Sequence, residues 1–259
     1  MNSDVPPIIT EEEYLEQYRD QIAVIGAEAQ LRLRQSSVHV AGLGGIGAHV
    51  VTQLAEAGVG HITANDPQRL ELSNLSRWPI GDMTNVGVPK VDVLQSFLRY
   101  HGGIRFEAVQ ECSEAKSVAP MLRAADLIIC CSNTVPSKVA AVQAAMDSRR
   151  PLLDVAVADG RRALSGAIRV FNPLFTRHAC PACFATLPRN ITRDEGLLST
   201  VIGSTAAVAA HVAVSILVAG SCPNLGEFAN LIVLDFNHLD IERCRIVKRD
   251  DCPVCKRRC

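Results

Sequence analysis

Residues 38–58 read VHVAGLGGIGAHVVTQLAEAG, and this stretch decides the fold. Val38 to Ala41 has the make-up of a short buried strand. A glycine-rich turn follows, and from Ile46 the apolar residues recur at helical spacing until Gly58 stops them. Glycines at 42, 44, 45 and 47 allow the backbone to approach a phosphate closely. The helix that opens there offers unpaired N–H groups and the positive end of its dipole. Residues 61–65 (HITAN) read as the next strand, closed by Asp66 about twenty residues on, where an acidic side chain reaches a ribose hydroxyl in such folds. Strand, cradle, helix, strand and acid in this order predict a nucleotide-binding unit and leave the nucleotide open.

Outward from that unit the alternation continues. Pro89 opens a helix running to Tyr100, 104–109 is a strand, 119–125 a helix, 127–131 a strand, 136–146 a helix and 152–156 a strand. This is the pattern of a parallel sheet covered on both faces. Beyond residue 160 the rhythm changes to strands at 166–171, 231–236 and 241–247, with an uncharged helix at 201–220 between them, which predicts antiparallel additions. Residues 1–36 are expected to be an N-terminal helical segment, with a Thr10–Glu13 capping box opening one helix and a second helical stretch running through GAEAQLRLRQ at 26–35. No repeat or Gly/Ser linker interrupts 37–259, read as one continuous nucleotide-binding domain. The fold class expected is α/β: a Rossmann-like, doubly wound, mostly parallel sheet extended by antiparallel strands.

Composition excludes some functions. With 26 Lys and Arg against 27 Asp and Glu, no field of one sign draws in nucleic acid or an anionic membrane. The acidic opening has no basic segment before an apolar core, so no secretory signal is expected and the address is cytoplasmic by default. Residues 201–220 are long enough to span a bilayer, but their Ala, Ser, Thr, Gly and His211 content predicts a buried or dimer-interface helix instead.

Two further segments bear on chemistry. Ser73-Asn74-Leu75-Ser76-Arg77 and Val86-Gly87-Val88-Pro89-Lys90 place an amide and two cations downstream of Asp66. A dinucleotide oxidoreductase, the competing reading of the same glycine loop, has little use for them. Over a triphosphate, Arg77 and Lys90 would neutralise the charge that builds when a nucleophile attacks phosphorus. Of the ten cysteines, Cys180, Cys183, Cys252 and Cys255 form two Cys-x-x-Cys pairs, the spacing at which two thiolates reach one tetrahedral zinc. Four protein ligands leave no position for water, so this metal is expected to be structural.

Taken in order, GLGGIG, a strand ending in Asp66, SNLSR, VGVPK and the paired CPxC knuckles resemble the ThiF/MoeB/HesA adenylyltransferases, relatives of ubiquitin-activating enzymes, over roughly residues 14–255. The resemblance implies ATP and Mg²⁺ as cofactors, a structural zinc and a homodimer. It also implies adenylation of the C-terminal carboxylate of a small ubiquitin-like sulfur-carrier protein with release of pyrophosphate. Carried over by motif, Gly42, Gly44, Gly45, Gly47 and Asp66 hold the ribose and phosphates, Asn74 and Arg77 contact the triphosphate, and Lys90 stabilises the α-phosphate.

The chain departs from that pattern at several positions. Asn133 stands where the family usually has the magnesium-binding Asp, and an amide is a poor ligand for a hard cation, unless Asp154 or Asp159 supplies the missing carboxylate. Asp20 occupies the place of the arginine that reaches into a partner's site, leaving Arg19 as its substitute. Trp78 and Gln68 replace a usual Gln and a usual acid. Residues 190–200 read as a crossing loop beside the site, where relatives that form a thioester or persulfide carry a cysteine; this loop contains none, so a covalent transthiolation step is not expected. These changes keep two alternatives open: a peptide-modifying adenylating enzyme of natural-product biosynthesis, and a non-catalytic scaffold.

Overall fold

Residues 9–158, 164–175, 178–183, 196–219, 230–252 and 254–255 are described by a computed structural model. Five parallel strands come from the alternating region: β1 (Ser37–Ala41), β2 (His61–Asn65), β3 (Arg105–Val109), β4 (Leu127–Cys130) and β5 (Leu152–Ala158). Antiparallel β6 (Ser165–Phe171), β7 (Leu231–Asp235) and β8 (Asp240–Cys244) extend the sheet, whose order is β3-β2-β1-β4-β5-β6-β7-β8. The strand order reverses between β1 and β4. In an open α/β sheet the loops leaving the carboxyl ends of two such strands diverge and open a crevice. Here those loops are the glycine turn and residues 131–134.

Alternation along the strands sorts two cores. Val38, Val40, Ile62, Ala64, Leu127 and Ile129 face one side, under α4 (Gly45–Glu56), α5 (Lys90–Leu98) and α8 (Ser199–Ala219). Ile128, Cys130, Leu152 and Phe171 face the other, under α6 (Val118–Ala124), α7 (Val135–Ser148) and the four knuckle cysteines. Each fully buried Leu or Ile contributes about 1.5–3 kcal/mol. The uncharged helix α8 is long and apolar enough to cross a membrane, and half of it is buried, packed on α4, β5 and β6.

The N-terminal segment forms α1 (Glu11–Gln17), α2 (Arg19–Ile25) and α3 (Ala27–Gln35), and the Thr10–Glu13 capping box is present. Where one helix was expected before Gly26 there are two. Tyr18 leaves helical geometry and turns inward, its hydroxyl donating to the Ala55 carbonyl at 3.1 Å. Tyr14 Oη donates to Gly58 O at 2.7 Å, while Gln21 Nε2 and Gln30 Nε2 donate to Ala57 O. Side chains of the first three helices thus satisfy the carbonyls left unpaired at the end of α4. Gly58 (φ +90°) cannot be replaced there, because a Cβ would lie 2.5 Å from Gln30 Nε2 and Tyr14 Oη. Strand β8 ends at Cys244, short of the expected 247. Val247 instead bridges His178, bringing the two knuckle segments together. Of the expected crossing loop at 190–200, residues 190–195 lie outside the described residues.

A buried polar chain crosses the sheet beneath the crevice. His39 is fully buried, its Nδ1 2.8 Å from Thr63 Oγ1 and its Nε2 3.0 Å from Asn65 Oδ1. Asn65 Nδ2 donates to Glu111 O, which fixes the amide orientation; His39 Nε2–H therefore donates to Asn65, and Nδ1 accepts from Thr63. Burial holds His39 down at about 4, opposed by the Asn65 hydrogen bond. The unfolded chain therefore binds one more proton than the fold between about pH 6.5 and 4. The neutral histidine's contribution is complete above pH 6.5 and is lost as pH falls through that window, by about 2–3 kcal/mol at pH 4.5. Urea unfolding at pH 7 and 4.5 should show that difference in the native chain. It should shrink by about that amount in His39→Gln; an unchanged difference refutes the assignment.

Candidate active site

Steric demand at the β1–α4 turn explains its glycines. Gly42 sits at φ +89° with Ser132 N 3.0 Å from where a Cβ would lie, and a Cβ on Gly47 would fall 1.9 Å from Gly42 O. By contrast, nothing lies within 4 Å of a Cβ built on Gly44, so the turn opens onto free space there. Among the described residues, no partner is found for the N–H groups of Gly44, Gly45 or Ile46. A 12-residue helix with its first N–H groups unpaired at an open glycine turn has the form of a phosphate cradle.

Asp66 lies against this turn, 5% exposed. Its Oδ2 accepts the Leu43 N–H at 2.6 Å and its Oδ1 the Gln68 N–H at 2.8 Å. The carboxylate therefore clasps the loop as well as facing the crevice. With about four acceptor sites, it keeps capacity for a ribose hydroxyl. Lys90, at the start of α5, is 3% exposed, and its Nζ donates to the neutral Gln68 Oε1 at 2.7 Å. Burial pulls its ammonium below the ordinary value, while Asp66 and Glu71 pull it back up. A buried cation bonded to an amide rather than an acid retains its charge for an incoming anion.

Arg77 is half-buried and donates to Ser73 O at 2.7 Å; its backbone carbonyl lies 3.2 Å from a Gly45 Cβ, and His49 of α4 hydrogen-bonds that backbone. Asn74, in the turn Leu72–Asn74, receives the Glu71 N–H on Oδ1 at 3.4 Å. Glycine loop, Asp66, Lys90 and Arg77 thus converge at the strand reversal.

On the opposite face of the sheet the four knuckle cysteines come together, all buried, with every pair of sulfurs within 4.8 Å. Cys180 and Cys183 Sγ are 3.9 Å apart, Cys180 and Cys252 3.7 Å, and Cys183 and Cys255 3.4 Å. A tetrahedron of ~2.3 Å zinc–sulfur bonds has sulfur separations of roughly 3.8 Å, so the donor set fits that ion. Burial disfavours the Cys252 thiolate, but hydrogen bonds from the backbone N–H groups of Cys255 and Val254 and from the Cys255 and Cys183 side chains together bring this thiol down to about 7.

A family model described as the ThiF family matches residues 18–254. The chain belongs to the ThiF family. Protein HesA, heterocyst, of Trichormus variabilis is 27% identical over 246 residues, 93% of this chain and 88% of its own. The sulfur carrier protein adenylyltransferase of Thermus thermophilus is 28% identical, covering 94% of this chain and 91% of the relative. Among solved structures, E. coli MccB with ATP superposes with a TM-score of 0.73 at 18% identity, over 92% of this chain and 73% of that one, a likeness of fold.

Within this ThiF chain, three positions stand apart from the crevice chemistry expected of them. Arg19 is exposed on α2 and paired with Glu16 and Asp20; none of these partners belongs to the glycine-loop cluster. Asn133 is exposed at the end of β4 beside the hydroxyls of Ser132 and Thr134. Asp154, the expected replacement for the missing magnesium carboxylate, is not available. It is 2% exposed, with Oδ1 bonded to Lys138 Nζ and Oδ2 2.9 Å from Arg169 Nη1. The other expected replacement, Asp159, lies outside the described residues. Residues 131–134 at the end of β4 thus offer neutral donors, a poor set for Mg²⁺, and the exposed carboxylate of Glu114 accepts from Ser137 Oγ at 3.4 Å at the start of α7.

Sequence reasoning passed over the Lys138–Asp154–Arg169 cluster, although a charge inside the apolar run LLDVAVA is its signal, since an Asp is rarely buried unpaired. Cys130, beside it, is pushed up to about 11 by burial, opposed by Lys138, and is no nucleophile at neutral pH.

Proposed function

We propose that this chain catalyses ATP-dependent adenylation of a C-terminal carboxylate with release of pyrophosphate. The carrying observation is the pairing, at one strand reversal, of glycine-turn N–H groups that have no partner among the described residues with the buried Lys90 cation, whose direct partner is a neutral amide. The N–H groups would take phosphate oxygens, Asp66 the ribose, and Lys90 and Arg77 the charge that grows as a carboxylate oxygen attacks the α-phosphate. With neutral donors at residues 131–134, Mg²⁺ would be held chiefly by triphosphate oxygens and water, a common mode for this ion.

The acyl substrate we favour is the C-terminus of a small ubiquitin-like sulfur-carrier protein, supported by the Thermus thermophilus relative. A peptide carboxylate is the second class, supported by the fold shared with MccB, one of whose structures is a complex with N-formylated MccA. Exchange of labelled pyrophosphate into ATP, dependent on an added carrier or peptide carboxylate, tests the reading. ATP binding without exchange for any carboxylate would favour a non-catalytic scaffold, the reading to which Asn133 lends support.

Zinc in the cysteine cluster and a cytoplasmic address, where thiols stay reduced, belong to the same proposal. So does a homodimer. The exposed side of α8 carries Ser204, Ala207 and His211 without a formal charge among them, with Val208 and Val214 half-buried against the core. A closed two-fold contact over that face would also give Arg19 a partner's site to serve. Light scattering at micromolar concentration should give twice the chain mass; a monomer mass rejects the dimer and removes the role of Arg19.

A further inference from the structure

We infer that Trp78 is a positioning residue for nucleotide binding, setting the direction in which the glycine loop presents its N–H groups. The inference rests on the proposed nucleotide reading and deepens it. Trp78 is 4% exposed, its ring packed where a Cβ on Gly81 would come within 2.9 Å, and its indole Nε1–H donates to Leu43 O at 2.9 Å. The N–H of the same Leu43 donates to Asp66 Oδ2 at 2.6 Å. Both polar groups of Leu43 are therefore held by buried side chains from different segments.

The geometry of the peptide unit supplies the consequence. No cis bond occurs among the described residues, and in a trans unit the carbonyl and the following N–H point in opposite directions. Fixing Leu43 O on Trp78 turns the Gly44 N–H away from the indole. At Gly44 the turn is open, with no atom within 4 Å of a built Cβ and no partner for that N–H among the described residues. Without the indole donor, the Leu43–Gly44 peptide is free to flip. A flip would direct a carbonyl oxygen at the phosphates and require Leu43 O to be re-satisfied elsewhere. The preceding residue, Arg77, places its own carbonyl 3.2 Å from the Cβ position of Gly45, so residues 77 and 78 together frame the turn from one side.

Trp78 is the only tryptophan in the chain, so biosynthetic replacement of tryptophan by benzothienylalanine alters this position alone. That analogue exchanges the N–H for sulfur with nearly unchanged shape. Loss of a buried hydrogen bond of this kind should weaken ATP binding by about 5- to 30-fold. Adenosine, which has no phosphate to meet the loop, should bind within about twofold of the unmodified protein. Trp78→Phe should reproduce the split, and the single indole ¹H–¹⁵N signal of the native protein should shift with ATP and not with adenosine. Equal weakening of ATP and adenosine would mark a merely structural residue and overturn the proposal. So would unchanged affinity for both in a protein whose unmodified form binds ATP. Failure of the unmodified protein to bind ATP would overturn the nucleotide reading itself, and this inference with it.

Discussion

Lys90→Ala is expected to lose about 10²- to 10³-fold of its carboxylate-dependent pyrophosphate exchange while keeping the native fold. Negative charge on the phosphate oxygens and on the departing pyrophosphate is greatest in the transition state. A donor already fixed in a buried site stabilises that charge without reorganising. Lys90 satisfies both conditions, being 3% exposed and held in place by Gln68 Oε1 at 2.7 Å. Arg77→Ala should fall in the same direction, since its side chain is anchored on Ser73 O at the rim of the same crevice. Retained helical circular dichroism with lost exchange would support the assignment. Full exchange in both variants would refute adenylation at this site.

The second large effect concerns the cysteine cluster. Metal analysis of the purified protein should find about one zinc per chain, and chelation or Cys252→Ser should unfold the region joined by the four sulfurs. Structural zinc sites contribute apparent binding energies of about 10–16 kcal/mol that are at once folding energy. Here the sulfurs tie the turn after β6 to the segment after β8, from positions 72 apart in sequence. They are also part of the apolar layer with Phe171, Leu152 and Ala145, so losing the ion leaves polar sulfurs facing one another inside a core. ATP affinity of the fraction that stays folded should be nearly unchanged, because α4 and α5, which carry the glycine turn and Lys90, pack on the opposite face of the sheet from the sulfurs. A purified chain free of zinc and fully folded would refute the role.

Much of this arrangement was legible in the sequence for a specific physical reason. The βαβ rhythm reports burial, and burial is what sorts Val40 and Ile129 to one face of the sheet and Cys130 and Ile128 to the other. Glycines at 42 and 47 and the two Cys-x-x-Cys pairs are local signatures, since a positive φ, a close backbone approach or a four-sulfur site each restrict residue type. Long-range polar pairing was not legible in this way. That Lys138 meets Asp154 and Arg169, that Lys90 meets Gln68, and that Trp78 reaches Leu43 depend on strand register and loop path. The run LLDVAVA signals that Asp154 needs a partner, but the register and loop path that choose the partner have no short-range sequence signal. Asp154 shows the difference: its identity suggested a metal ligand, and its two neighbours on α7 and β6 make it the anion of a buried ion cluster.

The cradle at the β1–α4 turn is made of main-chain N–H groups, framed by two glycines that admit no Cβ and one that faces open space. What inheritance has to preserve there is a path of the backbone, and few side chains are needed to hold it. Drift elsewhere can then re-aim the acyl end of the crevice while the nucleotide end stays in place. On such a scaffold the diversification of acceptors is limited by how many loop sequences can reach the same α-phosphate.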